Sequence, residues 1–243
     1  MLTTPHLPLT VHTRSDAASD RGPRDINADA VATHTDPATG RMAFVVADGI
    51  GDHLLAARAA RLAAGTAATA AAGHGAAAGL RQAQRELRTQ FDQARADCVL
   101  IVAVYPPTGK EHADEVCELA WVGDCRAYRW NGRVLHQITV DHTLAEFWRL
   151  RGVTAPARME HVVTDSVRTA DEGDIGRARV GAGPGRLLLC SDGVHKKLGL
   201  AKVRELLAGG VPAGETASAL VRQARLAGSA DNATAIVVDR AAV

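Results

Sequence analysis

Aspartate recurs in this sequence where an apolar run gives out beside a small residue. Ala43-Phe-Val-Val-Ala-Asp48-Gly49-Ile-Gly51 is the first such place and Leu187-Leu-Leu-Cys-Ser-Asp192-Gly193 the second. Trp121-Val-Gly123-Asp124-Cys-Arg126 is the third, and Asp231-Asn232 directly precedes the apolar run that begins at Thr234. A carboxylate at a strand end is held by a rigid element yet faces a cleft or solvent, and an adjacent glycine lets a backbone carbonyl approach a bound ion. Hard divalent cations such as Mg2+ and Mn2+ take oxygen ligands, so aspartates brought together suit those ions and not zinc. Any one Asp-Gly is foremost a turn dipeptide. The ordered set carries the signal.

The elements that must position these carboxylates are legible from short Val, Ile and Leu runs. Strands are expected at Leu7–Thr13, Ala30–His34, Met42–Ala47, Val99–Tyr105, Val116–Val122, Arg126–Trp130, Val134–Thr139, Arg186–Cys190 and Thr234–Asp239. Asn131-Gly132 signals a hairpin, because both residues tolerate the positive φ of a tight turn. Helical spacing marks Leu54–Ala72 and Leu80–Ala96, with a break at Gly73-His74-Gly75, and later Ala201–Ala208 and Glu215–Ala227. Clustered strands and paired helices predict layered α+β architecture, not alternating βαβ units. The stretch from 143 to 185 opens with a helix at Leu144–Leu150 and then turns charged and irregular, which suits a functional flap.

Composition removes several classes of function. The 243 residues carry a formal charge of +1, leaving no basic footprint for nucleic acid or an anionic membrane. No apolar run approaches the roughly 18 to 20 residues that span a bilayer, and no secretory leader is apparent at Met1. Cys98, Cys117, Cys125 and Cys190 form no C-x-x-C pair and read as buried reduced thiols, which places the chain in a reducing cytoplasm. His6, His12, His74 and His112 lie in polar surroundings and read as solvated. A single domain over residues 1–243, acting as a monomer, is expected.

Six elements in order resemble the metal-dependent serine/threonine protein phosphatases of type 2C, in their compact bacterial form. Gly22-Pro-Arg24-Asp-Ile-Asn27-Ala-Asp29 matches G-x-R-x-x-N-x-D, and Asp48-Gly49-Ile50-Gly51 resembles D-G-M-G. Val122-Gly-Asp124-Cys-Arg126-Ala-Tyr128 resembles V-G-D-S-R-A-Y, and Thr139-Val-Asp141-His142 matches T-x-D-H. Ser191-Asp192-Gly193-Val194 matches S-D-G-L, and Gly228-Ser-Ala-Asp231-Asn232-Ala-Thr234 matches G-S-x-D-N-x-T. The resemblance implies a four-layer αββα sandwich, two antiparallel β-sheets flanked by helix pairs. It implies hydrolysis of phosphoserine and phosphothreonine, in protein substrates of a serine/threonine kinase, by a water bridging two Mn2+ or Mg2+ ions. By position, Asp48 would bridge the ions, the Gly49 carbonyl would bind one, Asp192 and Asp231 would complete the first site and Asp29 would act on the second. Arg24 would grip the phosphate, and Asp124 would help to hold a weaker third ion. No protein nucleophile is required.

The sequence also departs from that pattern. Ala28 replaces a common Glu, and Asp52 adds a carboxylate after Gly51 that either joins the metal shell through water or points outward. In the flap, His161-Val-Val-Thr164-Asp165 differs from the usual run, and Val194-His195-Lys196-Lys197 replaces a Leu-Thr-Asp continuation. Both changes are expected to bear on substrate choice more than on metal binding. His53 is a candidate general acid, and His142 suits support of the flap base. Asp124 has a structural alternative, pinning a turn or pairing with Arg126. Two further functional readings are a catalytically weak phosphoprotein-binding module and a phosphatase of anti-sigma-factor antagonists.

Overall fold

The computed structural model describes residues 10–110 and 115–242. The part of the first expected strand from Leu7 to Leu9, together with His6 and His112, lies outside them. Among the described residues, eleven strands and six α-helices follow in chain order. The first half runs β1 Thr10–Asp20, β2 Asp29–Thr35, β3 Met42–Gly49, α1 Leu54–His74, α2 Ala76–Gln90, β4 Cys98–Tyr105, β5 Gly109–Lys110, β6 Val116–Val122 and β7 Arg126–Trp130. The second runs β8 Leu135–Gln137, α3 Leu144–Arg149, β9 Gly176–Gly181, β10 Gly185–Cys190, α4 Asp192–His195, α5 Leu200–Ala208, α6 Ala213–Leu226 and β11 Ala233–Ala242.

The strands form two sheets, in the orders β5-β1-β11-β10-β7-β8 and β2-β3-β4-β6-β9. Every pairing among the described strands is antiparallel. Alternation explains how they stack, because successive strand residues face opposite sides. In β3, Ala43, Val45 and Ala47 pack toward α1 and α2, whereas Phe44 and Val46 join Leu187, Leu189, Ile236 and Val238 between the sheets. In β10 and β11, Leu188, Cys190, Ala235 and Val237 face the other way, onto α5 and α6. Three apolar layers thus separate four structural ones, the αββα order. β3 and β4 are covered on both faces, so their sequences read as unbroken apolar runs.

α1 buries alanine after alanine from Ala56 to Ala72, so α2 can approach closely. A Cβ added at Gly79 would stand 2.6 Å from the Ala67 carbonyl oxygen and 2.6 Å from the Ala71 Cβ. Gly79→Ala is expected to lower stability by about 1 kcal/mol, overpacking (roughly 1–3 kcal/mol) outweighing the gain in helix propensity (roughly 1 kcal/mol). Thermal unfolding checks this, and a raised melting temperature would show that the helices part freely.

Several expected boundaries move. β1 extends to Asp20 and β8 shrinks to three residues. The second helix starts at Ala76 and not Leu80, since Gly75, at φ +95° and the last residue of the expected break, ends α1 and lets α2 begin at once. Within 143–185, Gly176–Gly181 is an ordinary edge strand against β6, and Asp97 accepts hydrogen bonds from Ser166 Oγ at 2.5 Å and from Arg168 N at 3.0 Å. That ties the far part of the expected flap to the body and leaves α3 and the short 3-10 turn Ala157–His161 as its outlying part. All four cysteines are buried and unpaired. Among the described residues no helix is long and apolar enough to cross a membrane.

Candidate metal and phosphate site

Strand periodicity carries the aspartates to one place. Asp48 continues the row of Phe44 and Val46, so it emerges at the end of the layer between the sheets. Asp29 lies directly opposite it in the β2–β3 register. Across that layer, Ser191 and Asp192 follow directly on β10, and β11 begins just after Asp231 and Asn232. Ser191 Oγ donates to Asp29 Oδ2 at 2.7 Å and accepts from Thr234 N at 3.0 Å, joining the two sheets at the site. Gly49 is tightly enclosed, since a Cβ there would meet the Ala56 carbonyl oxygen of α1 at 2.6 Å.

Arg24 sits between β1 and β2. It donates to Asp231 Oδ2 at 2.8 Å and to the Ala230 carbonyl at 3.3 Å, and Asp52 lies 4.0 Å from it. Asn232 holds this segment: its Oδ1 accepts from Ala28 N at 2.8 Å, and its Nδ2 donates to Arg21 O at 2.8 Å and Ile26 O at 2.9 Å. Asp124 lies in the turn between β6 and β7. Its partner is Lys196, whose Nζ also reaches Asp192 at 2.7 Å. Arg126 instead pairs with Asp141, at 2.8 and 2.7 Å, which removes the Arg126 alternative for Asp124.

The electrostatics of the cluster ask for cations. Burial, reinforced by the charges of Asp29, Asp192, Asp124 and Asp231, pushes Asp48 well above the usual carboxylate range. Burial pushes Asp29 up to about 7, against hydrogen bonds from Thr234 and Ser191. Burial also raises Asp192, but Lys196 outweighs it and holds this carboxyl below its ordinary value. Lys196 is held protonated, the attraction of Asp192 and Asp124 exceeding the cost of burial. Asp29 Oδ1 and Asp192 Oδ1 are buried without a hydrogen-bond partner. Orphaned, oxygen-only donors of like charge fit hard divalent ions. Among the described residues no three acidic, imidazole or thiol groups are already drawn together as a finished ligand set; Lys196 and Arg24 stand among the carboxylates.

A cleft of about 230 Å3 opens beside the cluster, lined by Arg24, His161, Asp192, Lys196, Lys197 and Asp231. Basic Arg24, Lys196 and Lys197 share its lining with Asp192 and Asp231, so a phosphate held on metal ions there would also meet positive side chains. His53 does not face it: its Nδ1 accepts from Ala56 N at 3.0 Å and caps α1. His142 brackets Gly123, accepting from its N at 3.4 Å and donating its own N–H to the Gly123 carbonyl at 3.0 Å.

Three residues of the site went unrecognised in the sequence. Ser191 and Asn232 stood inside matched elements, but their bonds join segments far apart in the chain. Lys196 was expected to act on substrate choice, and it contacts the acidic cluster itself. Its spacing of four from Asp192, the i,i+4 separation of a helical ion pair, was a readable signal.

No family model matches the chain. A 126-residue stretch is 31% identical to protein phosphatase PhpP of Streptococcus pneumoniae, covering 49% of this chain and 51% of that protein. The chain thus spans about half the length of the curated relatives it matches. PppA of Pseudomonas aeruginosa superposes with a TM-score of 0.76 at 26% identity, over 96% of this chain and 99% of that one. The catalytic domain of the serine/threonine phosphatase PstP, solved with 2 manganese ions, superposes with a TM-score of 0.79 at 24% identity, over 95% and 99%. Stp1 of Staphylococcus aureus gives 0.78 at 21%, over 98% and 99%. The structural neighbours of this chain are bacterial serine/threonine phosphatases, and the αββα fold expected from the six elements is the one observed.

Proposed function

We propose that this chain is a metal-dependent protein phosphatase that hydrolyses phosphoserine and phosphothreonine on proteins phosphorylated by a serine/threonine kinase. One observation carries the reading. Asp29 and Asp48 pair across β2 and β3, Asp192 and Asp231 line a cleft together with Arg24, and the charges of the other three aspartates act on Asp48. Asp48, Asp192, Asp231 and the Gly49 carbonyl would hold Mn2+ or Mg2+, with Asp29 at the second ion. When bound, such ions supply Lewis-acid chemistry, polarising a phosphoryl oxygen and making water a nucleophile near neutral pH.

The chain's own residues orient and neutralise. Ser191 aims Asp29, and Asn232 fixes the segment that presents Arg24. Arg24, which here donates to Asp231, would grip two phosphoryl oxygens with its planar fork. Lys197 adds a positive charge to the lining of the cleft, which suits a phosphorylated side chain. Four buried thiols support a reducing cytoplasm. Action as a monomer belongs to this proposal.

The test is hydrolysis of an aryl phosphate and a phosphothreonine peptide with Mn2+, with Mg2+ and with chelator. Turnover only with metal is expected, and silence under all conditions would favour the phosphoprotein-binding module. Arg24→Ala should lower kcat/KM roughly ten- to a hundred-fold, the loss of a charge-assisted hydrogen bond of about 1.5–3 kcal/mol. Its Mn2+ affinity should be equal or higher, because Asp231 loses a competing partner. An unchanged kcat/KM would take Arg24 out of the phosphate site.

A further inference from the structure

Lys196 stands between two carboxylates that come from different parts of the fold. Asp124 belongs to the turn after β6, and Asp192 opens α4, yet the Lys196 Nζ lies 2.8 Å from Asp124 Oδ2 and 2.7 Å from Asp192 Oδ2. The three side chains are only 14%, 6% and 14% exposed respectively. The lysine reaches this point because it ends the single turn of α4, its own N–H bonded to the Asp192 carbonyl at 2.9 Å. His161 Nδ1, from the 3-10 turn Ala157–His161, is 3.4 Å from the same nitrogen. The ammonium therefore occupies the position from which one cation would serve both carboxylates.

We propose that Lys196 is a built-in cation, filling with its ammonium the place between Asp124 and Asp192 that would otherwise admit a further divalent ion. This rests on the metal reading given above, and it limits the chain to ions held by Asp29, Asp48, Asp192 and Asp231. A hydrated dication brought to Asp124 would meet a fixed positive charge at contact distance in a low-dielectric setting. Removing the lysine alone would leave Asp124 buried and unpaired, a costly state that a metal ion relieves. Unlike a bound ion, this charge stays when metal is scarce. Through His161 it also gives the outlying turn a fixed point of attachment to the acidic cluster.

The experiment counts Mn2+ on the full chain, stripped by chelator and dialysed, by calorimetric titration and by the electron paramagnetic resonance of free Mn2+. Lys196→Met is expected to bind one equivalent more than wild type, and adding Asp124→Asn to it should remove the extra equivalent. Asp124→Asn alone should bind as many ions as wild type. In chelator, Lys196→Met should melt below wild type and recover with Mn2+. Equal Mn2+ equivalents in wild type and Lys196→Met would overturn the proposal. So would the loss of an equivalent in Asp124→Asn alone, a measurement that decides the matter even if Lys196→Met does not fold. Unchanged Mn2+ equivalents with weaker inorganic phosphate binding in Lys196→Met would make the lysine a phosphate contact instead. A wild-type chain that takes up no Mn2+ would overturn the metal reading itself.

Discussion

Asp48→Asn is expected to abolish metal-dependent turnover while making the metal-free chain more stable. The two effects share one cause. Asp48 is half-buried near four other carboxylates, and desolvation with their charge holds its carboxyl well above the ordinary range. In the proposed metal site that charge would bind the ions, so its removal is expected to cost several kcal/mol of transition-state stabilisation, about a thousand-fold or more in rate. Without ions the same charge is a burden. Replacing a half-buried, poorly compensated charge is worth about 2 kcal/mol here, within the range of such substitutions, or roughly 5 °C for a chain of this size. A carboxyl whose folded pKa is raised contributes full stability below its unfolded value of about 3.9 and loses it as pH rises. The stability advantage of Asp48→Asn in chelator should therefore be absent near pH 4 and grow toward pH 8. Thermal melts in chelator across that range, beside turnover at saturating Mn2+, make the check. A variant that melts below wild type in chelator at pH 8 would contradict the crowding of charge at this position.

Asn232→Ala should be the most damaging substitution of a neutral side chain. Its amide joins the start of β11 to the segment that carries Arg24, serving Ala28 N, Arg21 O and Ile26 O. Asn232 is 5% exposed, so water does not readily replace these bonds. Each buried group left without a partner costs roughly 1–3 kcal/mol. With partial relaxation the total is about 3 kcal/mol, or a melting temperature lower by roughly 10 °C. Turnover should fall as well, because Arg24 and Asp29 are presented from either side of Ala28. Melting within a degree of wild type would show that the segment is held by other contacts.

Much of this molecule was readable along the chain, for reasons that differ by element. β6 and β7 run over the residues expected of them, because apolar alternation and the Asn131-Gly132 turn are local signals. The hairpin forms where expected, but as a loop over 131–134 closed by the Trp130–Leu135 pair, in which only Gly132 takes a positive φ, +89°, while the Asn131 side chain accepts from Arg133 N and Val134 N. β9 escaped notice because Gly176-Arg-Ala-Arg-Val-Gly181 is half exposed and charged on one face, so only its pairing with β6 makes it a strand. α2 was displaced because Leu80, Ala83 and Leu87 mark its buried face, while its start is set by Gly75 at the end of α1.

The sequence by itself determined which residues are chemical. Aspartates at the ends of apolar runs, in this order, single out the residues expected to do chemistry, and strand periodicity already directs Asp48 into the layer between the sheets. The tertiary structure decided their neighbours. Asp29 faces Asp48 through the β2–β3 register, Arg24 meets Asp231 across the chain's two ends, and Lys196 settles on both Asp124 and Asp192. The physical reason is range. Periodicity, turn chemistry and residue type act over a few positions, whereas the partner of a buried charge is set by which strands close the sandwich at its site end.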